Sequence, residues 1–395
     1  MREKQVLPVV VVVLTAALVA VIALWTLDRV EGPESATVSQ DGPVEAIEWK
    51  LVTTWPKGLP GLGAAPENFA RRVNEASGGR LRIKVFGAGE IVPAFEVFDA
   101  VSRGVAEAGH GAAYYWKGKI PASVFYTAVP FGMTAQEANG WLHYGGGLEL
   151  WRELYAPFGV VPFAGGSTGV QMAGWFNIRL NNRADLEGLK MRIPGLAGEV
   201  FDAAGGSAVR IAGGEVYTSM QTGVIDAVEW VGPYNDRTLG LMEVGDYYYY
   251  PGWHEPGAML ETIVNAEALA ALPEDLQAIV RVAARATNTD MLDDFTANNS
   301  ESLQILLTEF DTKVLPLPDD VMDALYESSQ VAIEALVNAD PMAKKIAASY
   351  FAFATKVRTY HEISERAYLN GRNRLLPPVS LTEQSAEWAC SRRWP

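Results

Sequence analysis

The chain has 395 residues, of which 49% are hydrophobic and 20% are charged, and its formal net charge is −15. This composition is that of a folded globular protein rather than a disordered chain. The negative charge argues against nucleic acid as a partner, because phosphates require clusters of Lys and Arg. A single cysteine, Cys390, excludes an internal disulfide and a multi-thiolate metal site, and the four histidines lack the paired spacing of a zinc site.

The N-terminal segment is strongly apolar. Residues 6–27 contain no charged side chain, and Arg2 and Lys4 precede them. A secretory signal core is usually about 7–15 residues long and a membrane span about 20. The segment therefore predicts an uncleaved membrane anchor, with an atypical secretory signal as the alternative. We assign residues 1–30 to it, and residues 31–46, which are rich in Gly, Pro, Ser and Glu, to a linker.

The folded part begins with strands and helices in alternation. Residues 51–55 and 81–86 have the patterns of strands, residues 66–77 and 95–102 have helical spacing, and a short strand is expected near residues 105–108. This order is typical of an α/β fold with a parallel sheet.

The same order recurs later in the chain. Residues 96–108 match residues 215–227 at a constant offset of 119, with five identities in thirteen positions. The match predicts two α/β lobes that share one construction plan. Aromatic residues follow the third strand of each copy, at residues 114–116 and at Trp230. Because open α/β sheets bind ligands at the carboxyl ends of their strands, two facing lobes would form a binding cleft.

The rest of the chain has helical patterns. Apolar spacing predicts helices that begin near Pro273 and Pro318, and a third over residues 341–368. The expected organisation is a two-lobed domain over residues 47–375, with lobe one mainly in 47–165, lobe two mainly in 166–250, the remainder in bracing helices, and a tail over 376–395.

Arg192 is the first candidate for a binding role. It lies near the carboxyl end of a short predicted strand, where a cleft would open. A planar guanidinium can bind a carboxylate through two parallel hydrogen bonds. The alternative is a structural salt bridge, to Glu199 or to Asp185.

Three residues in the same part of the sequence as Arg192 offer oxygen atoms that could bind a cation. Glu229 offers a carboxylate, Gln171 an amide oxygen and Trp230 a main-chain carbonyl, which are ligands that Na⁺ or Ca²⁺ accepts. The alternatives are a Glu229 paired with a nearby Arg or Lys, and a Gln171 at a solvated strand end. Glu255 lies among aromatic residues and is either part of the same site or an exposed loop residue.

Enzyme signatures are weak. Residues 165–169 fit the G-x-S-x-G pattern of a serine hydrolase around Ser167, but a strand-like run follows where that motif requires a helix. Residues 61–63 lack the rest of a dinucleotide fingerprint. The sequence therefore does not predict an enzyme.

Over residues 49–372 the chain resembles the DctP-type substrate-binding proteins of TRAP transporters. The most specific stretches are residues 185–192 (DLEGLKMR) and 215–227 (EVYTSMQTGVIDA). The pair Glu229-Trp230 and residues 114–119 (YYWKGK) are similar to the group that binds 2-oxo acids and related small carboxylates.

The resemblance implies a two-lobed periplasmic-binding-protein-like fold, with long hinge helices and a helical C-terminal region, that closes over a ligand. It implies a periplasmic, non-enzymatic protein that delivers a small 2-oxo or 2-hydroxy acid to TRAP membrane subunits, either free or tethered by its N-terminal segment. Some members dimerise through their C-terminal helices, so a homodimer is also among the expectations. The alternatives are a membrane-tethered sensor domain with the same pocket and a serine hydrolase.

The resemblance also implies roles for individual residues. Arg192 would grip the ligand carboxylate, and Gln171, Glu229 and the Trp230 main chain would hold the Na⁺ or Ca²⁺ ion that the ligand contacts. Positions matching Tyr115, Trp116 and Glu255 would line the pocket.

Overall fold

The computed structural model describes residues 16–21 and 46–376. Residues 16–21 are helical, and the chain from Ala46 onward forms one compact unit. No helix in these two stretches is long and apolar enough to cross a membrane. Most of the predicted anchor, nearly all of the linker and nearly all of the tail lie outside the described residues.

The strands and helices alternate through most of the compact unit. In chain order the strands are β1 (Ile47–Thr53), β2 (Leu81–Phe86), β3 (Ala108–Gly111), β4 (Val160–Ser167), β5 (Gly174–Phe176), β6 (Lys190–Arg192), β7 (Ser207–Val209), β8 (Ala227–Val228), β9 (Tyr247–Tyr250), β10 (Met259–Asn265) and β11 (Lys313–Pro316). The helices are α1 (Ala64–Ala76), α2 (Val97–Ser102), α3 (Ala135–Tyr144), α4 (Gly147–Tyr155), α5 (Gly195–Ala203), α6 (Val216–Gln221), α7 (Pro233–Thr238), α8 (Ala266–Ala270), α9 (Glu274–Glu309), α10 (Asp319–Ala339), α11 (Pro341–Ile363) and α12 (Glu365–Leu375).

Two sheets define the two lobes. Lobe one is built on a sheet with the order β2-β1-β3-β10-β4, and lobe two on a sheet with the order β11-β9-β5-β8-β6-β7. In lobe one β1 is parallel to β2 and β3, and in lobe two β6 is parallel to β7 and β8. The predicted α/β fold with two lobes is confirmed.

The predicted repeat has a structural counterpart. An offset of 119 carries α2 onto α6 residue for residue, and carries the start of β3 at Ala108 onto the start of β8 at Ala227. Each copy turns at a glycine with positive φ, Gly104 (71°) and Gly223 (70°). A left-handed conformation at this position favours glycine, which explains why both copies carry it.

The sequence misplaced or missed some elements. The expected strand near residues 105–108 begins only at Ala108, because the Gly104 turn occupies the preceding residues. β10 and β11 return the chain to lobes one and two in a region assigned to helices. All but the last residue of β10 is buried, so its run lacks the alternation of a half-exposed strand. The predicted helix over 341–368 is broken at Ser364 (φ −112°, ψ −96°).

The long helix α9 joins the lobes. It packs on β4 and α1 of lobe one and on α7 of lobe two. Its Asn299 Oδ1 accepts a hydrogen bond from Tyr234 N of lobe two (3.0 Å), and its Asp290 pairs with Arg72 of lobe one (3.0 Å). Helix α10 packs on α5, and α11 packs on α3 and α4. These long helices therefore contact both lobes.

A carboxyl group lies in the core of lobe one. Glu261 on β10 is fully buried and accepts hydrogen bonds from Trp116 Nε1 and from Tyr155 Oη (2.9 Å). Burial raises the pKa of Glu261 to about 7, although both hydrogen bonds oppose the shift. The ionised form is therefore the costly one inside this core.

Replacing Glu261 with Gln is expected to remove a pH dependence of stability. Between pH 4.5 and 7 the unfolded chain loses this proton while the native protein keeps it, so the free energy of unfolding falls as the pH rises. The shift corresponds to about 3 kcal/mol. Urea unfolding at pH 4.5 and 7.5 should therefore show the variant gaining stability relative to the parent by about this amount. The exposed Glu267→Gln is the matched control, and parallel curves for E261Q and the parent would contradict the assignment.

Candidate functional site

The candidate site lies where the strand ends of the two sheets face each other. Arg192 is the last residue of β6, and Glu229 and Trp230 directly follow the parallel neighbour β8. Arg192 is in register with Val228, and Glu229 N donates to Arg192 O (3.0 Å). The guanidinium and the carboxylate therefore project from adjacent strand ends.

Two segments that cross between the lobes complete the site. Residues 168–173 lead from β4 to β5, and residues 251–258 lead from β9 to β10. They run side by side, since Gln171 N donates to Glu255 O (3.2 Å) and Gly252 N donates to Gln171 O (2.9 Å). Gln171 and Glu255 are both buried, so neither is the exposed residue of the alternative interpretations.

Arg192 and Glu229 form a buried ion pair. Arg192 Nη1 donates to Glu229 Oε2 and to Glu229 O, both at 2.7 Å. Arg192 Nη2 donates to Tyr115 Oη (3.3 Å), Nε donates to Ile211 O (3.3 Å), and the guanidinium lies 4.9 Å from the centre of the Trp230 ring. The structural partner of Arg192 is thus Glu229 rather than Glu199 or Asp185.

The site holds two carboxyl groups against one guanidinium. Burial raises the pKa of Glu229 to about 7, although Arg192 opposes the shift. Burial and the neighbouring Glu229 raise the pKa of Glu255 to about 8. Burial is the largest influence on the pKa of Arg192 and lowers it, but Glu229, Tyr115, Tyr114 and Glu255 together outweigh burial, so the pKa is raised. Ionisation of both Glu229 and Glu255 is therefore disfavoured unless a second cation binds in the site.

Two buried oxygens lack partners. Gln171 Nε2 donates to Glu255 Oε2 (2.7 Å) and to Thr168 Oγ1 (3.0 Å), which fixes the orientation of the amide. Within residues 46–376, Gln171 Oε1 and Glu229 Oε1 accept no hydrogen bond. An unsatisfied buried acceptor costs about 1–3 kcal/mol. An amide oxygen and a carboxylate oxygen left free in this way fit a hard cation.

His254 is a site residue that the sequence did not reveal. It is buried, its Nε2 lies 3.5 Å from Glu229 Oε1, and neither ring nitrogen hydrogen-bonds to any described residue. Burial lowers the pKa of His254 to about 4, which keeps the imidazole neutral. Donor atoms of Glu229, His254 and Glu255 all lie within 4.8 Å of one another. In the sequence, only its position next to Glu255 pointed to the site. The four histidines were assessed only for the paired spacing of a zinc site, which they lack.

Aromatic side chains surround the guanidinium. Tyr115 contacts Arg192, whereas Trp116 directs its indole N–H to Glu261 in the core of lobe one. Trp55 was missed by the sequence analysis. Its ring lies 6.0 Å from that of Tyr115 and 6.3 Å from that of Trp230, and so joins the two lobes.

Further contacts hold the cleft closed. Arg210 of lobe two donates through Nη1 to Tyr115 O of lobe one (3.1 Å), and its guanidinium lies 4.4 Å from the centre of the Phe95 ring. Lys117 of lobe one pairs with Glu199 of lobe two. These side chains can meet only when the lobes are together, so the structure represents a closed state.

The hydrolase motif is not a nucleophile elbow. Ser167 is buried at the end of β4, and its Oγ accepts a hydrogen bond from Gly169 N (3.3 Å). No helix follows before β5. The strand-to-helix turn that exposes a catalytic serine is absent from this described segment.

Comparison with known sequences identifies related proteins. The model of the DctP family, bacterial extracellular solute-binding protein family 7, matches residues 51–340. A monocarboxylate 2-oxoacid-binding periplasmic protein of Nostoc sp. is 41% identical over 351 residues, which cover 89% of this chain and 96% of that protein.

Solved structures of TRAP periplasmic solute-binding proteins are also similar. A protein from Colwellia psychrerythraea with bound calcium and pyruvate is 40% identical, with a TM-score of 0.81 over 83% of this chain and 100% of that one. A protein from Pseudoalteromonas atlantica with bound sodium and pyruvate is 41% identical, with a TM-score of 0.80 over 82% and 99%. A protein from Bordetella bronchiseptica, a dimer with calcium and picolinate, is 36% identical, with a TM-score of 0.81 over 83% and 97%.

Replacing Arg210 with Ala is expected to shift the protein towards an open cleft. The change removes the hydrogen bond to Tyr115 O and the stacking on Phe95, which together contribute roughly 1–3 kcal/mol. Amide hydrogen exchange should accelerate in residues 113–117 of the variant. The control is Arg71→Ala, which removes an exposed pair with Glu75 on α1. Equal exchange in R210A and the parent would show that this contact does not hold the cleft.

Proposed function

Because this chain belongs to the DctP family of bacterial extracellular solute-binding proteins, which serve TRAP transporters, we propose that it binds a small 2-oxo or 2-hydroxy acid together with one Na⁺ or Ca²⁺ ion. The family transports solutes rather than converting them, and its members act outside the cytoplasm. The protein would deliver its ligand to the membrane subunits of the transporter. That residues 6–27 tether it to the inner membrane remains a prediction from their hydropathy.

The observation that carries the proposal is the buried Arg192–Glu229 pair beside two unsatisfied oxygens. The guanidinium is suited to an anion and the oxygens to a cation, and both face a closed cleft. The Nostoc relative is a 2-oxoacid-binding protein, and two similar structures hold pyruvate, one with calcium and one with sodium. A 2-oxo acid with a cation matches both halves of the site.

The hydrogen-bond pattern of Arg192 limits how it can hold the ligand. Nη1 donates twice to Glu229 and Nε donates to Ile211 O, so only Nη2 has an N–H to spare. Arg192 would therefore donate one hydrogen bond to the ligand carboxylate, from Nη2, instead of the two parallel hydrogen bonds expected from the sequence. Tyr115 Oη, which already contacts Nη2, supplies a second donor to the carboxylate, and Trp230 Nε1 is a further buried donor without a partner among the described residues.

The cation would be held by Gln171 Oε1, Glu229 Oε1 and the Trp230 main-chain carbonyl. It would supply a positive charge that attracts the carboxylate and the 2-oxo or 2-hydroxy oxygen of the ligand. Glu255 contributes by fixing the Gln171 amide through the hydrogen bond at 2.7 Å, which turns Oε1 away from Glu255. The role of Glu255 is thus to orient Gln171, whose amide oxygen would bind the cation.

Arg192→Lys is expected to weaken pyruvate binding by about 10- to 100-fold, because a charge-assisted hydrogen bond contributes about 1.5–3 kcal/mol and a compact ammonium cannot keep the contacts to Glu229 and also donate to the ligand as Nη2 does. Lysine retains the charge opposite Glu229, so the fold is kept. Calorimetric titration with pyruvate and lactate should show binding in calcium or sodium, and none in a chelator with both cations absent.

The matched control for this experiment is Lys190→Ala, which removes an exposed cation two residues earlier on the same strand. It should bind like the parent. Unchanged affinity of Arg192→Lys would refute the role of Arg192, and cation-independent binding would refute the cation site.

We also propose that a second copy of the chain covers the outer face of α11 and α12. Tyr360, Ile363, Tyr368 and Leu375 are largely exposed there, and the Bordetella bronchiseptica relative is a dimer. A stable interface buries about 1,200–2,000 Å² in total, which an apolar helix pair could supply.

The paired substitution Ile363→Glu and Tyr368→Glu is expected to give a monomer, because it places two charges in the apolar contact. Sedimentation velocity should show a dimer for the parent and for the control Val331→Glu, which changes an exposed apolar residue on α10. A monomeric parent protein would rule this interface out.

A further inference from the structure

A second pocket lies on lobe one, outside the cleft. It has a volume of about 400 Å³ and is enclosed by α3, α4, β4 and α9. Its floor is apolar, with Leu148 and Phe163, and its rim carries Arg152 from α4 and Arg281 and Arg285 from α9. The volume is within the range of small-molecule sites, about 300–1,000 Å³. None of the cleft residues contributes to its lining.

The three guanidinium groups of this pocket are unpaired. Within residues 46–376 none of them makes a hydrogen bond or an ion pair, and the pocket lining contains no Asp or Glu. Elsewhere on lobe one, Arg71 and Arg80 pair with Glu75 and Asp275. Arg281 and Arg285 are also one helical turn apart, an arrangement of like charges that destabilises a helix. Three unneutralised cations in one concavity are unexpected on a chain with a net charge of −15.

Partial burial adds a second observation on this pocket. Desolvation lowers the pKa of Arg285, and no neighbouring carboxylate opposes the shift. The positive charge is therefore less stable at this position than in water, and a bound anion would offset that cost.

We propose that this pocket binds an oxyanion of the phosphate class. Guanidinium groups bind phosphate through paired, charge-assisted hydrogen bonds. Arginines from two different helices can approach a tetrahedral anion from different sides. The apolar floor would take an uncharged portion of a phosphate ester. Free phosphate compounds and lipid headgroups share this chemistry.

The test compares inorganic phosphate with sodium chloride at equal ionic strength, in calcium-free buffer, by thermal unfolding and calorimetry. Phosphate should raise the melting temperature of the parent beyond the chloride effect. In the double variant Arg281→Gln and Arg285→Gln its affinity should fall at least about tenfold, since charged hydrogen bonds are lost. Arg71→Gln is the control and should bind phosphate like the parent. Pyruvate binding should be the same in all three proteins.

A second experiment distinguishes a lipid headgroup from a soluble phosphate compound. Co-sedimentation with phosphatidylglycerol vesicles by the parent, but not by the double variant, identifies a lipid headgroup. A phosphate-specific shift without co-sedimentation identifies a soluble compound. Equal effects of phosphate and chloride would overturn the proposal, and so would an undiminished phosphate shift in the double variant.

Discussion

The buried pair of Arg192 and Glu229 is the interaction on which the proposed binding site depends. Both groups are almost fully removed from water, and a buried ion pair is tolerated only when its remaining hydrogen-bonding groups are satisfied. Each nitrogen of Arg192 has a partner among Glu229, Ile211 and Tyr115, with one N–H of Nη2 left over, whereas Glu229 Oε1 has no partner among the described residues. The pair therefore fixes the guanidinium and leaves one carboxylate oxygen available, which is the arrangement that a ligand and a cation require.

The fold determines this pair through the topology of lobe two. β6 and β8 are adjacent and parallel, so side chains at their carboxyl ends reach the same edge of the sheet. Asp236 reinforces that edge, since it accepts hydrogen bonds from Val231 N (3.2 Å) and Gly232 N (3.0 Å), directly after Glu229 and Trp230. The crossing segments then bring Gln171 and Glu255 to the same place. The site is thus assembled at the boundary between a rigid sheet and the connections that join the lobes.

The sequence predicted the parts of this arrangement that have local signals. The repeat predicted a position at the cleft for Glu229 and Trp230, and the strand pattern did so for Arg192, because the patterns of strands and helices are visible in the sequence. The binding roles of these residues came from the resemblance to a family. His254 and Trp55 were missed because their roles arise from contacts between distant segments. β10 was missed because burial on both faces removes the alternation that marks a strand. The sequence also could not show that Arg192 has only one N–H left for a ligand, because its hydrogen-bond partners come from distant segments.

Charge balance explains why an anion and a cation would bind to the cleft together. Arg192 and Glu229 neutralise each other, so a monocarboxylate alone would bring an uncompensated negative charge into a buried site. A cation alone would bring an uncompensated positive charge in the same way. Entering together, each ion lowers the cost of the other, and such coupling is reciprocal by thermodynamic necessity. Closure of the lobes then strengthens both contacts, because excluding water from the cleft lowers the local dielectric constant.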